Sequence, residues 1–328
     1  MLRELHVRHR SLSLKAPFRI SRGVKHAADV VTVELSQAGC TGRGESVPYG
    51  RYGETVASVL DEMETLRKNL CAGMGRDELQ ARLPPGAARN ALDAALWDLE
   101  SRLDHVPVWA RLARPPHSPI TTALTISLDT PQEMQKAASR IAGARLVKVK
   151  VNGEDPVARI EAVRRAIPSA ALIVDPNESW TIDILRGVQP ALERASVSLV
   201  EQPLPADADD ELLEFSGRIP ICADEACHTT ADLPRLQNRY QAVNIKLDKT
   251  GGLTEAWRLL RAARAHGFRI MVGCMVGSSL GIAPALEVAR EAEFVDLDGP
   301  LWLENDLPGG VSLQDGLLVP PSPGFWGT

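Results

Sequence analysis

The 328-residue sequence lacks any apolar run near the roughly 18 residues that a membrane-spanning helix needs. Residues 1–15 carry charges throughout and contain no uninterrupted apolar core, so we expect no secretory signal there. A formal net charge of −5 gives no basic footprint for nucleic acid or membrane surfaces. We therefore expect a cytoplasmic protein that binds neither nucleic acid nor membranes. The sequence leaves homo-oligomer formation open.

Cysteine is also scarce, with five residues that are widely scattered and odd in number. This usage favours reduced thiols over a disulfide framework. Cys222, Cys227 and His228 lie close together in the chain, but their spacing fits no common zinc motif.

What the sequence does contain is a regular alternation from about residue 118 onward. Short apolar stretches rich in β-branched residues are each followed by a longer stretch with helical spacing. Eight stretches are predicted as strands: Thr121–Ser127, Leu146–Val151, Ala171–Asp175, Ser198–Glu201, Ile221–Asp224, Ala242–Lys246, Arg269–Val272 and Phe294–Asp296.

Eight strand–helix units predict an α/β fold, a (β/α)8-type barrel spanning residues 119–305, with a doubly wound open sheet as the alternative. Residues 1–118 show a different pattern, with strand-like alternation first and helical spacing after it, which predicts an α+β capping domain. A proline-rich stretch at 114–119 is typical of a linker. Residues 306–328 are too few to fold alone, and we expect them to pack back on the first domain.

Ionisable residues recur at the predicted carboxyl ends of the strands, where barrels of this kind build their active sites. They are Lys148 and Lys150, Asp175, Glu201, Asp224, Lys246, and Asp296 with Asp298. Carboxylates on neighbouring strand ends repel one another unless a cation joins them. A hard divalent ion with oxygen ligands, Mg²⁺, suits such a site. Each carboxylate taken alone could instead be a turn or helix cap.

The lysines indicate a specific chemistry. Lysine is rarely buried unless it is paired, and ion pairs with the carboxylates are one explanation. The other is proton transfer: removing a proton next to a carboxylate creates an ene-diolate, which needs a cation and a base of lowered pKa. Lys150 and Lys246 come from strands on opposite sides of a barrel and would flank a substrate held between them.

The motifs resemble those of the muconate-lactonizing subgroup of the enolase superfamily. They are Lys148-Val149-Lys150, Asp175-Pro176-Asn177-Glu178-Ser179-Trp180, Glu201-Gln202-Pro203, Ala223-Asp224-Glu225 and Asn244-Ile245-Lys246-Leu247-Asp248-Lys249. Asp296-Leu297-Asp298 resembles the corresponding motif of dipeptide epimerases. From residue 16 to residue 302 the chain is most similar to the bacterial L-Ala-D/L-Glu epimerases.

The resemblance implies one Mg²⁺ held by Asp175, Glu201 and Asp224, with Lys150 and Lys246 as acid/base catalysts, as is usual for enolase-superfamily sites. It further implies that Lys148 modulates Lys150 and contacts the substrate carboxylate. Asp296 and Asp298 would hold the α-ammonium group of a dipeptide. That ammonium separates dipeptide epimerases from cycloisomerases and o-succinylbenzoate synthases.

The capping domain is expected to supply substrate specificity. Arg22 is the candidate cation for a glutamate side-chain carboxylate, with a solvated loop arginine as the alternative. The loop at residues 48–53 is expected to close over the pocket, and Thr125 to line it. The chain departs from the subgroup at Gly277, where many members carry glutamate.

The sequence thus predicts an isomerase, an Mg²⁺-dependent dipeptide epimerase of the L-Ala-D/L-Glu type. Alternatives are a cycloisomerase, an o-succinylbenzoate synthase, an N-acylamino-acid racemase, or an inactive homologue retained for binding.

Overall fold

A computed structural model describes residues 2–327 of the protein. The chain begins with a three-stranded antiparallel sheet in the order β1-β2-β3. In the central strand, Val31, Val33 and Leu35 alternate with more exposed residues and are fully buried, as expected for a sheet with one covered face. The strands are β1 (Glu4–Ile20), β2 (Gly23–Gln37) and β3 (Cys40–Ser46).

Five helices follow the sheet: α1 (Val56–Thr65), α2 (Arg67–Ala72), α3 (Arg76–Arg82), α4 (Ala87–Asp104) and α5 (Val108–Arg111). Helix α4 lies on β3 so closely that a Cβ on Gly42 would stand 2.2 Å from the carbonyl oxygen of Ala95. Only glycine permits this approach. Leu92, Leu96 and Leu99 of α4 are buried in the core of this unit. The elements from β1 to α5 are called the cap below.

The second unit contains an eight-stranded sheet in the sequential order β5 to β12, with every pairing parallel. The predicted barrel is confirmed, and each predicted strand has its counterpart within two residues at either end. These strands are β5 (Ala123–Ile126), β6 (Leu146–Lys150), β7 (Ala171–Asp175), β8 (Val197–Glu201), β9 (Ile221–Ala223), β10 (Ala242–Ile245), β11 (Arg269–Gly273) and β12 (Phe294–Asp296); the two-residue β4 (Ile120–Thr121) precedes them.

The helices of this unit are α6 (Pro131–Ser139), α7 (Pro156–Ala166), α8 (Ile182–Arg194), α9 (Leu233–Leu236), α10 (Leu247–Thr250), α11 (Leu253–Ala265), α12 (Ser279–Ile282) and α13 (Ala285–Ala289). The expectation of a helix after every strand is wrong after β12, where only a 3-10 turn forms at Gly299–Trp302. It is also wrong after β8, where only a 3-10 turn forms at Asp210–Glu214. Pro203 and Pro205 stand at the start of this connection, and proline cannot donate the hydrogen bonds that a helix requires.

The first and last strands of the barrel are joined by side chains. Leu297 N donates to Thr122 Oγ1 at 2.9 Å, and Thr125 N donates to Asp298 Oδ2 at 2.7 Å. These bonds close the sheet nearly into a full barrel and draw Asp298 toward the end of β5.

The tail contacts both units. Strand β14 (Leu317–Val319) pairs with β13 (Ser312–Gln314) and with β4. Trp326 Nε1 donates to the carbonyl oxygen of Arg43 in the cap at 3.0 Å. The domain limits placed at residues 118 and 305 stay a prediction. Within residues 2–327, none of the helices combines the length and apolar character that crossing a membrane requires.

The inside of the barrel is filled by one buried apolar residue from each strand. These are Ala123, Leu146, Ile173, Leu199, Cys222, Ala242, Met271 and Phe294. Because side chains alternate along a strand, the residue two positions further toward the carboxyl end also faces inward. This second set of inward positions holds the polar residues of the site.

Candidate active site

The second inward position of each strand carries, in chain order, Thr125, Lys148, Asp175, Glu201, Asp224, Asn244, Gly273 and Asp296. A layer of ionisable groups therefore lies directly on the apolar layer inside the barrel. Continuing two residues further adds Lys150, Lys246 and Asp298 at the mouth. The strand period alone brings together residues that are up to 173 positions apart in the chain.

Lys148 lies at the centre of the carboxylates. Its Nζ is 2.7 Å from Glu201 Oε2, 2.8 Å from Asp296 Oδ2 and 3.1 Å from Asp175 Oδ2. Burial alone would lower the pKa of Lys148, but the three carboxylates outweigh it and raise that pKa. Lys148 is therefore a fixed positive charge, which is the ion-pair role that one explanation of the sequence assigned to it.

Lys150 shares an oxygen of Asp175 with Lys148. Its Nζ is 2.5 Å from Asp175 Oδ2 and 3.1 Å from Asn177 Oδ1. Burial would raise the pKa of Asp175, but Lys150 and Lys148 lower it to about 2. Asn177, which the sequence analysis did not single out, also donates its backbone N–H to Asp175 at 2.9 Å. Its position two residues after a strand-end aspartate was the available signal.

On the other side of the mouth, Lys246 Nζ lies 2.6 Å from Asp224 Oδ2. Lys249, one helical turn further on, lies 2.7 Å from Asp224 Oδ1 and donates to the carbonyl oxygen of Asn244 at 2.9 Å. Burial opposes ionisation of Asp224, but Lys246 and Lys249 hold its pKa well below the usual range. Lys249 is a second group that sequence reasoning missed, although it lies in the quoted motif.

The groups that the protein itself supplies do not lower the pKa of Lys246. Burial would lower the pKa of Lys246, but Asp224 outweighs burial and raises it. A group that neutralised Asp224 would remove this effect.

The inner layers hold more carboxyl groups than lysines. Five buried carboxylates (Asp175, Glu201, Asp224, Asp296, Asp298) stand against four buried lysines (Lys148, Lys150, Lys246, Lys249). Burial and the nearby charge of Asp175 raise the pKa of Glu201 to about 8. Glu201 Oε2 and Asp224 Oδ1 are buried and accept no hydrogen bond, although a lysine ammonium lies near each.

This donor set fits a hard divalent cation, since three carboxyl groups from adjacent strands supply oxygen ligands and a nearby cation favours their ionised form. Among residues 2–327, no group of three carboxylate, imidazole or thiol side chains stands in ready-made metal-binding geometry. The lysine ammonium groups form ion pairs with the carboxylates instead.

Asp296 is the last residue of β12, and Asp298 lies two residues further along the chain. Asp296 Oδ2 pairs with Lys148, whereas its Oδ1 is buried and accepts no hydrogen bond. Asp298 Oδ2 accepts from Thr125 N at 2.7 Å and from Trp302 Nε1 at 3.3 Å. Burial and the charge of Asp296 raise the pKa of Asp298 to about 6. Two adjacent carboxylates of this kind favour a cationic partner.

Above these groups lies a cavity of about 320 Å³ between the barrel mouth and two loops of the cap. We call residues 20–25 the first cap loop and residues 48–53 the second cap loop. The cavity is lined by eight of the ten predicted site residues: Arg22, Thr125, Lys148, Lys150, Asp224, Lys246, Asp296 and Asp298. The other two, Asp175 and Glu201, are fully buried in the barrel.

Arg22 points into this cavity but is already paired. Its Nη2 lies 2.7 Å from Glu225 Oε1, and its Nη1 lies 3.0 Å from Glu178 Oε2. Lys25, on the same loop, also lines the cavity and stacks over the Tyr49 ring at 4.8 Å. In the described part of the chain, Lys25 has no carboxylate within ion-pair distance. The sequence alone could not predict this difference between Lys25 and Arg22.

Both units of the chain match known protein families. Residues 2–112 match the mandelate racemase / muconate lactonizing enzyme N-terminal domain, and residues 132–325 match the enolase C-terminal domain-like family. The chain belongs to the enolase superfamily. Its two matched regions are those of the mandelate racemase and muconate-lactonizing enzymes, as the strand-end motifs predicted.

Two relatives are similar over nearly their whole length. The L-Ala-D/L-Glu epimerase of Escherichia coli K12 is 44% identical over 97% of this chain and 99% of its own. The N-acetyl-D-glutamate racemase of a Pseudoalteromonas species is 45% identical over 91% of this chain and 95% of its own. Both relatives are isomerases, which agrees with the predicted class of enzyme.

Solved structures share the fold throughout. An enolase family member from Agrobacterium tumefaciens, with bound sodium and L-Ala-L-Glu, has a TM-score of 0.97 at 44% identity and covers 99% of this chain and 100% of its own. A dipeptide epimerase from Cytophaga hutchinsonii, in complex with Mg and D-Ala-L-Val, has a TM-score of 0.91 at 29% identity. The match covers 98% of this chain and 94% of that one.

Proposed function

We propose that this protein is a Mg²⁺-dependent dipeptide epimerase of the L-Ala-D/L-Glu type that inverts the α-carbon next to the substrate carboxylate. The observation that carries the proposal is the placement of two lysines, Lys150 on β6 and Lys246 after β10, around one cavity that also contains the Asp296–Asp298 pair. The similarity to dipeptide epimerases over nearly the whole chain supports the same function.

Asp175, Glu201 and Asp224 would hold the metal. When bound, Mg²⁺ would act as a Lewis acid that stabilises the additional negative charge on the substrate carboxylate. The metal would also favour the ionised form of Glu201, which is the least easily ionised of the three.

The lysines carry the proton transfers. One lysine, as a neutral amine, accepts the α-proton and becomes an ammonium group, while the electron pair of the C–H bond moves into the carboxylate. The other lysine, as an ammonium group, donates a proton to the opposite face of the same carbon. One proton is lost and one gained, so the substrate is isomerised without any net change in composition. Lys148 remains charged throughout and contributes positive potential beside the carboxylate.

The Asp296–Asp298 pair would bind the α-ammonium group of the dipeptide. The buried, unpaired Asp296 Oδ1 supplies an acceptor, and Thr125 N orients Asp298. An N-acylated amino acid has no ammonium group, so the buried Asp296 Oδ1 would keep no hydrogen-bond partner and Asp298 would be contacted only by uncharged donors, which is costly. This contrast disfavours the second candidate, an N-acetylglutamate racemase, which the relative from Pseudoalteromonas brings forward.

The glutamate side chain would lie toward the first cap loop. The sequence assigned its carboxylate to Arg22, but Glu178 and Glu225 already neutralise that guanidinium. We propose that Lys25, whose ammonium has no such partner in residues 2–327, contacts the substrate carboxylate directly.

Incubation of the Mg²⁺-loaded protein with L-Ala-L-Glu in D₂O tests the proposal. We expect deuterium at the glutamate α-carbon together with formation of L-Ala-D-Glu. Lys150→Ala and Lys246→Ala should each abolish epimerisation. Each variant should still exchange the α-proton of one epimer, namely the one whose proton faces the remaining lysine. Absence of exchange in the wild-type protein would refute the function, and exchange of both epimers by a single-lysine variant would refute the two-lysine mechanism.

A further inference from the structure

Glu178 lies in the loop after β7, at the barrel mouth, yet its side chain is only 8% exposed. Arg51 of the second cap loop binds it through two nitrogens, with Nε and Nη2 each 2.7 Å from a carboxylate oxygen. Arg22 of the first cap loop donates to it at 3.0 Å, and Ala206 N of the loop after β8 donates at 2.9 Å. One barrel carboxylate therefore connects both cap loops to two barrel loops.

The charges around Glu178 alternate in sign. Arg51, Glu178, Arg22 and Glu225 form a continuous row in which the successive N–O distances are 2.7, 3.0 and 2.7 Å. The row alternates between cap and barrel at each step. Loss of the Glu178 charge would leave Arg51 and Arg22 without the carboxylate that lies between them. Like charges at close range repel, so the two cap loops would separate.

The backbone beside Glu178 also contacts the first cap loop. Asn177 and Glu178 both have left-handed φ angles, 45° and 68°. Non-glycine residues adopt this conformation only where the surroundings stabilise it. Here the turn aims the carbonyl oxygen of Asn177 at the first cap loop, where it accepts from Ser21 Oγ at 3.0 Å and from Arg22 Nη1 at 3.1 Å. The local conformation and the side-chain contacts thus converge on the same two cap loops.

We propose that Glu178 is a positioning residue that latches both cap loops over the cavity and thereby prepares the substrate pocket before binding. It acts through Arg22 and Arg51 and does not touch the reacting atoms. The proposal rests on the proposed function for its kinetic consequence, because the latched loops enclose the dipeptide. A latched loop needs little further ordering on binding, which favours substrate affinity.

The first test is hydrogen–deuterium exchange of residues 20–25 and 48–53 in the substrate-free protein, comparing wild type with Glu178→Gln. Glutamine keeps one oxygen acceptor but loses the charge and the two-oxygen contact with Arg51. Since hydrogen bonds to charged groups contribute about 1.5–3 kcal/mol, we expect both loops to exchange about tenfold faster or more. Unchanged exchange in both loops would overturn the proposal.

Two further variants make the test specific. Arg51→Gln breaks the contact between Arg51 and Glu178 from the cap side. It should reproduce the faster hydrogen–deuterium exchange of both cap loops. The double variant with Glu178→Gln should be no worse than either single variant. Asp209→Asn is the matched control, because Asp209 is a buried carboxylate that pairs with two arginines, Arg235 and Arg239, and all three residues belong to the barrel unit. It should leave exchange in the cap loops unchanged. Additive effects of the two latch variants, or loosened cap loops in Asp209→Asn, would overturn the proposal.

The kinetic test uses L-Ala-L-Glu with the Mg²⁺-loaded protein. Glu178→Gln should raise KM about tenfold and leave kcat within about threefold, since the latch affects enclosure of the substrate and not proton transfer. A loss confined to kcat would count against a latch. If the wild-type protein does not act on dipeptides, the proposed function fails, whereas the exchange experiment on the substrate-free loops still decides the role of Glu178.

Discussion

Gly277 lies against the buried carboxylate of Glu45, so that a Cβ at position 277 would stand 3.1 Å from Glu45 Oε1. Glu45 comes from β3 of the cap and accepts hydrogen bonds from Ser278 N at 2.7 Å and Ser278 Oγ at 2.6 Å. A cap carboxylate therefore occupies the space beside the loop after β11. This explains why the chain has glycine where many members of the subgroup carry glutamate.

Replacement of Gly277 should destabilise the protein. Val47 Cγ2 would lie 3.2 Å from the new Cβ on its other side, and Glu45 is held by two hydrogen bonds. We expect Gly277→Ala to cost about 1–3 kcal/mol of unfolding free energy. Gly277→Glu should cost more, because it adds a second carboxylate to the same buried space. Urea unfolding measures both.

Gly143→Ala is the control for these variants, since a Cβ at position 143 would meet nothing within 4 Å. It should change the free energy of unfolding by less than about 0.5 kcal/mol. Equal stability of Gly277→Ala and wild type would show that the region around Glu45 yields more readily than its contacts indicate.

The pH dependence of stability should report on Glu45. Burial raises the pKa of Glu45 to about 7, against a usual value near 4.5. Between these values the folded state binds more protons than the unfolded state, so stability falls as pH rises from about 4.5 to about 7 and is level above. Glu45→Gln imitates the protonated acid. We expect it to match wild type near pH 4.5 and to exceed it by up to about 3 kcal/mol at pH 8.

Denaturant unfolding of both proteins across this range gives the comparison directly. Asp248 and Asp93 have pKa values raised in the same direction, to about 7 and about 6, so both proteins should lose some stability with rising pH. Only the difference between them is assigned to Glu45. A difference that does not change with pH would contradict this assignment.

Most of the barrel and its ionisable layer could be predicted from the sequence, because both follow from local rules. Strand alternation places Lys148 and Lys150 on one face, and the carboxyl ends of parallel strands meet at one edge. These rules apply within a strand and between neighbouring strands. They identified seven of the residues that line the cavity and both buried carboxylates beneath it.

The cap contacts could not be predicted in the same way. The pairing of Arg22 with Glu225 joins residues 203 positions apart, on separate units of the fold. No periodicity relates a cap loop to a barrel loop, so the sequence showed Arg22 as an available cation and gave Lys25 no distinction. The space taken by Glu45 beside Gly277 is a packing relation of the same kind. These contacts depend on how the cap packs against the barrel.

Metal binding should stabilise the folded protein through the three buried carboxylates. Addition of Mg²⁺ at about 100 times its dissociation constant should add about 2.7 kcal/mol to the free energy of unfolding and raise Tm. Asp224→Asn should lose most of this gain, because it removes a charged ligand, whereas Asp209→Asn should retain it. Differential scanning fluorimetry with and without a chelator measures the shift. Equal shifts in Asp224→Asn and wild type would place the metal elsewhere.

Asp298 should determine whether substrates with an ammonium group are favoured. Asp298→Asn keeps an oxygen that can accept from Thr125 N but removes the charge. We expect kcat/KM for L-Ala-L-Glu to fall about 10- to 100-fold, as for loss of a charged hydrogen bond. Turnover of N-acetyl-D-glutamate, if detectable in wild type, should not fall. Because the pKa of Asp298 is raised to about 6, KM for the dipeptide should rise as pH falls below 6. Equal losses for both substrates would refute ammonium binding.

Lys25 and Arg22 should differ in the selectivity of their effects. Lys25→Gln should lower kcat/KM for L-Ala-L-Glu about tenfold or more and spare L-Ala-L-Leu, since only the first substrate offers a carboxylate to the ammonium group. Arg22→Gln should lower turnover of both dipeptides, because it also breaks the contacts with Glu178 and Glu225 that hold the first cap loop. Steady-state kinetics with the two substrates decides. If Arg22→Gln alone gave the selective loss, the side-chain carboxylate would bind Arg22 directly, as the sequence first indicated.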